Sequence, residues 1–457
     1  MKTSKNKTVY VCSSCGNSHI RWQGVCDNCG DRNTLSEFKE PKAAKAGSES
    51  GLRSTAKPVK LSQVSGGADI RFSTGIKEVD AVLGGGLVQG SLLLISGEPG
   101  IGKSTLLLQM AKALCANQSR VLYVSGEESE AQVSLRASRL GMDSEDLYLY
   151  SESCLESVLA EAENLKPGVI FVDSIQTVWT SNMDSAPGTV TQVRESTLKI
   201  MEFCKQRNIA VVLVGHVTKG GEIAGPRLLE HMVDVVLHFE GDRSHLFRIL
   251  RGIKNRYGPT DEVGIFEMKS SGLVPVLNPS AYFVSGGVKA SGSCTSVLLE
   301  GSQPFLVEVQ SLVTGNYSAY PKRTSMGLDL NRLNLLIAVI EKRIAVRLDQ
   351  YDVCVNLAGG LKSRDTGIDL AMVTAIISSW QDKCVPADHL FIGEVGLGGE
   401  VRMVPRIEQR VREAAKQGMK NVYVPKSSSR ILRNMEADCK LYAISSIAAL
   451  RTLVADF

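Results

Sequence analysis

Gly97-Glu98-Pro99-Gly100-Ile101-Gly102-Lys103-Ser104 follows the apolar run Leu92-Leu93-Leu94-Ile95 and leads into Thr105-Leu106-Leu107-Leu108-Gln109-Met110. A buried strand, a G-x-x-x-x-G-K-S turn and an apolar helix start are the three parts of a phosphate-binding loop. Its glycines let successive backbone N–H groups close around a polyphosphate, at the positive end of the helix that follows. In such a loop the lysine reaches the β- and γ-phosphates and the serine ligates Mg²⁺. Residues Gly97 to Ser104, with Thr105 behind them, are therefore the expected contacts for a nucleoside triphosphate and its Mg²⁺.

The chemistry then needs carboxylates. Val169-Ile170-Phe171-Val172-Asp173, seventy residues after Lys103, is an apolar strand ending in an acid. Asp173 at that strand end is placed to hold Mg²⁺ through its water shell, beside the loop serine. Hydrolysis also needs a group that orients or deprotonates the attacking water. Val121-Leu122-Tyr123-Val124-Ser125-Gly126-Glu127-Glu128 sets two glutamates just past another strand. Open parallel sheets bind ligands at the carboxyl ends of their strands, so either can face the γ-phosphate. Glu127 is the expected base and Glu128 the alternate. His216, ending the run Ala210–Val214 and Gly215, is the expected γ-phosphate sensor.

Continuous Val/Ile/Leu runs alternate with helical patterns from about Leu61 to Leu277. That is the pattern of an α/β fold whose parallel sheet is covered on both faces. Beyond Tyr282 the pattern is mixed α+β. Strand-like stretches at Ser296–Glu300, Phe305–Val313 and Tyr351–Leu357 surround expected helices at Leu330–Ile344, Thr366–Ser379 and Ile407–Gln417. At 457 residues the chain is too long for one ordinary core. The expected domains are 1–37, a linker at 38–60, 61–277 and 278–457. No apolar run reaches membrane-span length and no signal-peptide core follows Met1-Lys2-Thr3, so no membrane partner and a cytoplasmic location are expected.

The net charge of +4 is unevenly spread. Residues 1–60 carry 11 Lys/Arg against 5 Asp/Glu, which leaves the remainder slightly acidic. Nucleic-acid binding by the main body must then come from a local basic surface. Cys12-x-x-Cys15 and Cys26-x-x-Cys29 fall in the first thirty residues, while the other seven cysteines are scattered. Two such knuckles suit tetrahedral Zn²⁺, and a segment this short would take its folding energy from the metal. The Lys/Ala/Ser/Gly/Pro-rich stretch after it reads as a linker.

Ser73-Thr74-Gly75-Ile76-Lys77-Glu78-Val79-Asp80 and Leu83-Gly84-Gly85-Gly86-Leu87 resemble the RecA/KaiC/DnaB class of ATPases. With the four-cysteine ribbon in front and Lys254-Asn255-Arg256-Tyr257-Gly258 behind, the chain is similar to the bacterial RadA (Sms) family. Tyr257 departs from the phenylalanine usual in that pentapeptide. The resemblance implies a RecA-like P-loop core and a homo-hexameric, DNA-stimulated ATPase. Such an ATPase moves on single-stranded DNA and extends or branch-migrates recombination intermediates beside a RecA-type recombinase. A slow KaiC-like switch that hydrolyses ATP without translocating is the alternative. Sites of this class are completed by a neighbour's cation, which points to Lys254 and Arg256. Two segments read as loops able to reach DNA: Thr180–Glu195 with Arg194, and Lys219–His231 with Lys219 and Arg227.

The last 170 or so residues resemble the proteolytic domain of Lon, through Arg364-Asp365-Thr366-Gly367-Ile368-Asp369, Gly393-Glu394-Val395-Gly396-Leu397-Gly398-Gly399-Glu400-Val401-Arg402 and Ala414-Ala415-Lys416-Gln417-Gly418. Lon uses a Ser–Lys dyad. The serine's place falls near Thr366–Gly367 and no serine stands there, and ungapped alignment sets Glu408 where the lysine belongs. A peptidase-inactive platform for assembly and DNA binding is expected, which makes an ATP-dependent peptidase the weaker reading.

Overall fold

A run of six apolar or small residues, Leu92–Gly97, forms a strand buried along its whole length. Burial on both faces is possible only inside a layered sheet, and the neighbouring strands provide it. The computed structural model describes residues 8–12, 18–19, 21–27, 30–39, 70–216, 226–241, 247–284, 290–316 and 320–457. Among these, Leu92–Gly97 pairs in parallel with Ala210–His216, which pairs with Val169–Asp173. Val121–Ser125 and Leu147–Tyr150 continue the parallel array. The register sets His216 opposite Gly97 and Ser125 opposite Asp173, so the loop-bearing ends lie along one rim. Leu92, Leu94, Leu122, Ile170 and Leu213 share one core with Leu155, Val158, Val193 and Ile200 of the covering helices.

The chain divides into two compact units. The first holds residues 1–75, 85–237 and 254–257; the second holds 76–84, 238–253 and 258–457. Phe247 and Ile265 sit in the same core as Phe283, Val307 and Leu336.

In the first unit, Ser18–His19, Thr8–Cys12 and Leu35–Lys39 form a small antiparallel sheet in that order. Its last strand runs to Lys39, past the expected linker start at 38. Residues 40–60 of that linker lie outside the described residues.

The second unit carries a seven-stranded mixed sheet. Its order is Arg323–Met326, Tyr351–Leu357, Gln303–Gly315, Ser293–Glu300, His389–Phe391, Asn421–Pro425, Lys440–Ile444. Helix Leu330–Ile344 has the expected bounds: Asp329 accepts from Arg332 N at its start, and Ala345 ends it in the left-handed region. The helix expected at Thr366–Ser379 is in two parts, a 3₁₀ turn Thr366–Ile368 and an α-helix Asp369–Gln381. Asp365 accepts the Gly367 N–H at 2.8 Å and so tightens the first turn.

Candidate nucleotide site

Gly100 and Gly102 adopt φ of +77° and +117°, the left-handed conformations that let the loop after Gly97 turn back on itself. Gly102 starts the helix Lys103–Ala116 without a side-chain cap. The first N–H groups of that helix are thus left to whatever the loop encloses, and an anion satisfies them best. Lys103 is buried, and its ammonium donates to the carbonyls of Gly97 and Glu98, each at 2.9 Å. Burial lowers its pKa to about 8, against the upward pull of Asp173 and Glu127. A buried amine between two carboxylates and a row of helix N–H groups suits a polyphosphate with its cation.

The rim sorts the two glutamates. Glu127 accepts a hydrogen bond from Ser174 Oγ at 2.6 Å, and His216 Nε2 lies 3.4 Å from the same oxygen. Asp173, Ser174, Glu127 and His216 thus converge from three strand ends. Glu128 is turned away: its carboxylate takes Arg136 Nη2 at 2.6 Å, and its backbone is tied to Ser125 Oγ. Ser129 and Gln132 close the capping box of the next helix, which fixes where the chain turns. Asp173 accepts the Tyr123 hydroxyl at 2.8 Å.

Lys254 and Arg256 both face the segment 230–234, although Arg256 lies one residue beyond the strand Phe247–Asn255. Lys254 Nζ donates to Glu230 O at 2.7 Å and to Val233 O at 2.8 Å, and His231 O is 3.4 Å away. These carbonyls close helix Pro226–Met232, so as placed Lys254 serves a helix end. Arg256 pairs with Asp234 at 3.1 Å, and Asp234 also accepts the Leu92 N–H at 3.1 Å. Leu92 opens the strand whose far end, Gly97, begins the phosphate loop. At about 3.3 Å per residue that end is roughly 16 Å away. The half-exposed Arg256 therefore sits at the opposite rim from its own loop.

Both expected DNA-reaching loops need correction, since helix Pro226–Met232 takes up the second half of Lys219–His231. Helix Val190–Arg207 begins inside Thr180–Glu195, because Thr189 caps it by accepting from Gln192 N. Arg194 is thus an exposed helical residue. Lys219 and the side chain of Arg227 lie outside the described residues.

Cys12 and Cys26 are buried together with Leu35, Cys12 Sγ lying 3.1 Å from Thr34 Oγ1 and Cys26 Sγ 3.4 Å from His19 Nε2. Two buried thiols in one small core suit a soft, thiolate-binding metal. Cys15 and Cys29 fall outside the described residues.

The Lon-like corner is filled. Arg410, fully buried, makes two bonds to Asp365 at 2.7 and 3.0 Å and donates to Val297 O and Pro405 O. A Cβ on Gly367 would lie 2.6 Å from Arg410 Nη1, so a serine cannot be added there without displacing the guanidinium. Thr366 donates instead to Glu394 at 2.9 Å. Glu408 is half-buried on helix Ile407–Lys416, two residues before Arg410. Arg410→Ala is expected to cost about 3–5 kcal/mol, because it strands Asp365 without its cation. Chemical denaturation checks this, and a paired Asp365→Leu, Arg410→Met variant should recover only part of the loss, because Asp365 also accepts from Gly367 N and Leu299 N.

Comparison with known proteins agrees with this layout. Residues 55–222 match the AAA domain family, 10–37 the rubredoxin metal binding domain and 335–428 subunit ChlI of Mg-chelatase. DNA repair protein RadA of Listeria monocytogenes is 47% identical over 431 residues, 94% of each chain. The protein of the same name from Streptococcus pyogenes serotype M1 is 48% identical over 93% of this chain and 94% of its own. That from Bacillus subtilis strain 168 is 47% identical over 92% and 93%. The chain belongs to the RadA family of DNA repair proteins, with an AAA-type ATPase core between a zinc-ribbon region and a ChlI/Lon-like C-terminal region.

Proposed function

We propose that this protein is a DNA-stimulated, Mg²⁺-dependent ATPase. It works as a homo-hexamer on single-stranded and branched DNA and drives branch migration or D-loop extension beside a RecA-type recombinase. The observation that carries the shared site is the position of Arg256. An arginine roughly 16 Å along the strand from its own phosphate loop can meet a nucleotide only on a neighbouring subunit. Lys103 and the loop amides bind the phosphates; Ser104 and Asp173 hold Mg²⁺, which when bound neutralises charge on the phosphate oxygens. Glu127, oriented by Ser174 and flanked by His216, takes the proton of the attacking water. Its partners favour it over Glu128, whose carboxylate Arg136 already occupies.

Residues 1–37 bind Zn²⁺ through Cys12, Cys15, Cys26 and Cys29. Cys26→Ala is expected to release the metal while leaving the ATPase core folded; metal analysis with ATP binding checks it. The regions 61–277 and 278–457 act as motor and platform. The test of function is ATP turnover with and without single-stranded DNA at several salt concentrations. Turnover should rise with DNA, and the stimulation should weaken as salt rises, as phosphate contacts by Lys and Arg require. Turnover indifferent to DNA would overturn the motor and favour a KaiC-like switch.

A further inference from the structure

Tyr123 is the one polar-tipped side chain within the buried apolar run Val121–Val124. Its ring stands opposite Phe171 in the neighbouring strand, tilted against it with centroids 6.3 Å apart. Packing thus fixes the ring, and only the hydroxyl has a choice of partner. That hydroxyl donates to Asp173 Oδ2 at 2.8 Å. A carboxylate gripped on one oxygen from a rigid ring cannot rotate freely.

We propose that Tyr123 is a positioning residue for the metal, its hydroxyl fixing the plane of the Asp173 carboxylate before a nucleotide brings Mg²⁺ to the rim. This rests on the reading of Asp173 as the metal-holding acid. Ser174 does the equivalent for Glu127, so two hydroxyls hold the two acids of the site. Outer partners of metal-holding carboxylates are typically worth about 10–100-fold in metal affinity or activity.

The test is Tyr123→Phe in the full chain, which keeps the ring and removes only the hydroxyl. Binding of a fluorescent ATP analogue is followed across a Mg²⁺ titration and again in EDTA. The half-saturating Mg²⁺ concentration should rise about tenfold, while affinity in EDTA stays that of the parent. In an Asp173→Asn background the same change should add nothing, since the two residues act through one carboxylate. A parental Mg²⁺ curve for Tyr123→Phe, beside a shifted one for Asp173→Asn, overturns the role of Tyr123 alone. An unshifted curve for Asp173→Asn overturns the metal reading of Asp173, and the role of Tyr123 with it. Equal losses with and without Mg²⁺ mark a packing role and also overturn the proposal.

Discussion

Arg256→Ala should bind ATP like the parent yet lose about a thousandfold in DNA-stimulated turnover. That is the lower end of what such a finger supplies to phosphoryl transfer. The asymmetry follows from where the charge acts: a finger meets the charge that builds up in the transition state, more than the ground-state nucleotide. Removing Arg256 leaves the buried Asp234 with the Leu92 N–H but without its cation, so retained ATP binding is what separates a lost finger from a lost fold. Mixing separates a shared site from a private one. Diluted into an excess of Lys103→Ala subunits, each Arg256→Ala subunit keeps its own loop and gains an intact arginine from its neighbour. Turnover per Arg256→Ala subunit should then recover. Steady-state ATPase assays on mixed assemblies read this directly, and no recovery at any ratio would return Arg256 to a solvated basic loop.

With Lys103→Ala, hydrolysis should fall by at least about 10²–10³-fold, the scale for losing one preorganised donor at developing charge. Unlike the arginine variant, it should also bind ATP more weakly, because Lys103 faces the phosphates in the ground state. The parent carries a matching pH signature. With the Lys103 amine at about 8, a polyphosphate favours the charged form. ATP affinity should therefore be steady below pH 8 and weaken as pH rises through it, by up to about tenfold per unit. Equilibrium binding from pH 7 to 9.5 checks the sign, and Lys103→Ala should flatten the curve. Undiminished turnover in the alanine variant would remove the loop from the mechanism.

The parts legible in the sequence are those whose physics is local. Val121–Ser125, Val169–Asp173 and Tyr351–Leu357 have the strand bounds that their apolar runs imply. Leu330–Ile344 is framed by a capping aspartate, and the phosphate loop by its own glycines. The parts that were not legible depend on which strands become neighbours. Ser174 reaches Glu127 and Tyr123 reaches Asp173 only because Val121–Ser125 lies beside Val169–Asp173, which chain order does not dictate. Asp234 carries no motif; its signal is an acid before an apolar strand, and its importance comes from the Leu92 N–H and Arg256 it joins. Thr189 shows a local signal overridden. Pro187 and Gly188 point to a loop, but the threonine after them caps a helix that starts at the next residue.

The Asp365–Arg410 pair bears on how this chain could ever change occupation. Building a Lon-type serine peptidase site here would take at least three steps: losing the arginine, installing a serine where Gly367 packs against it, and finding an amine for position 408. Losing Arg410 first strands a buried acid, adding the serine first meets the guanidinium, and an amine at 408 alone has nothing to activate. Every single step toward such a dyad thus gives a chain less stable than the present one, or no more useful, and the ion pair works as a ratchet against that change.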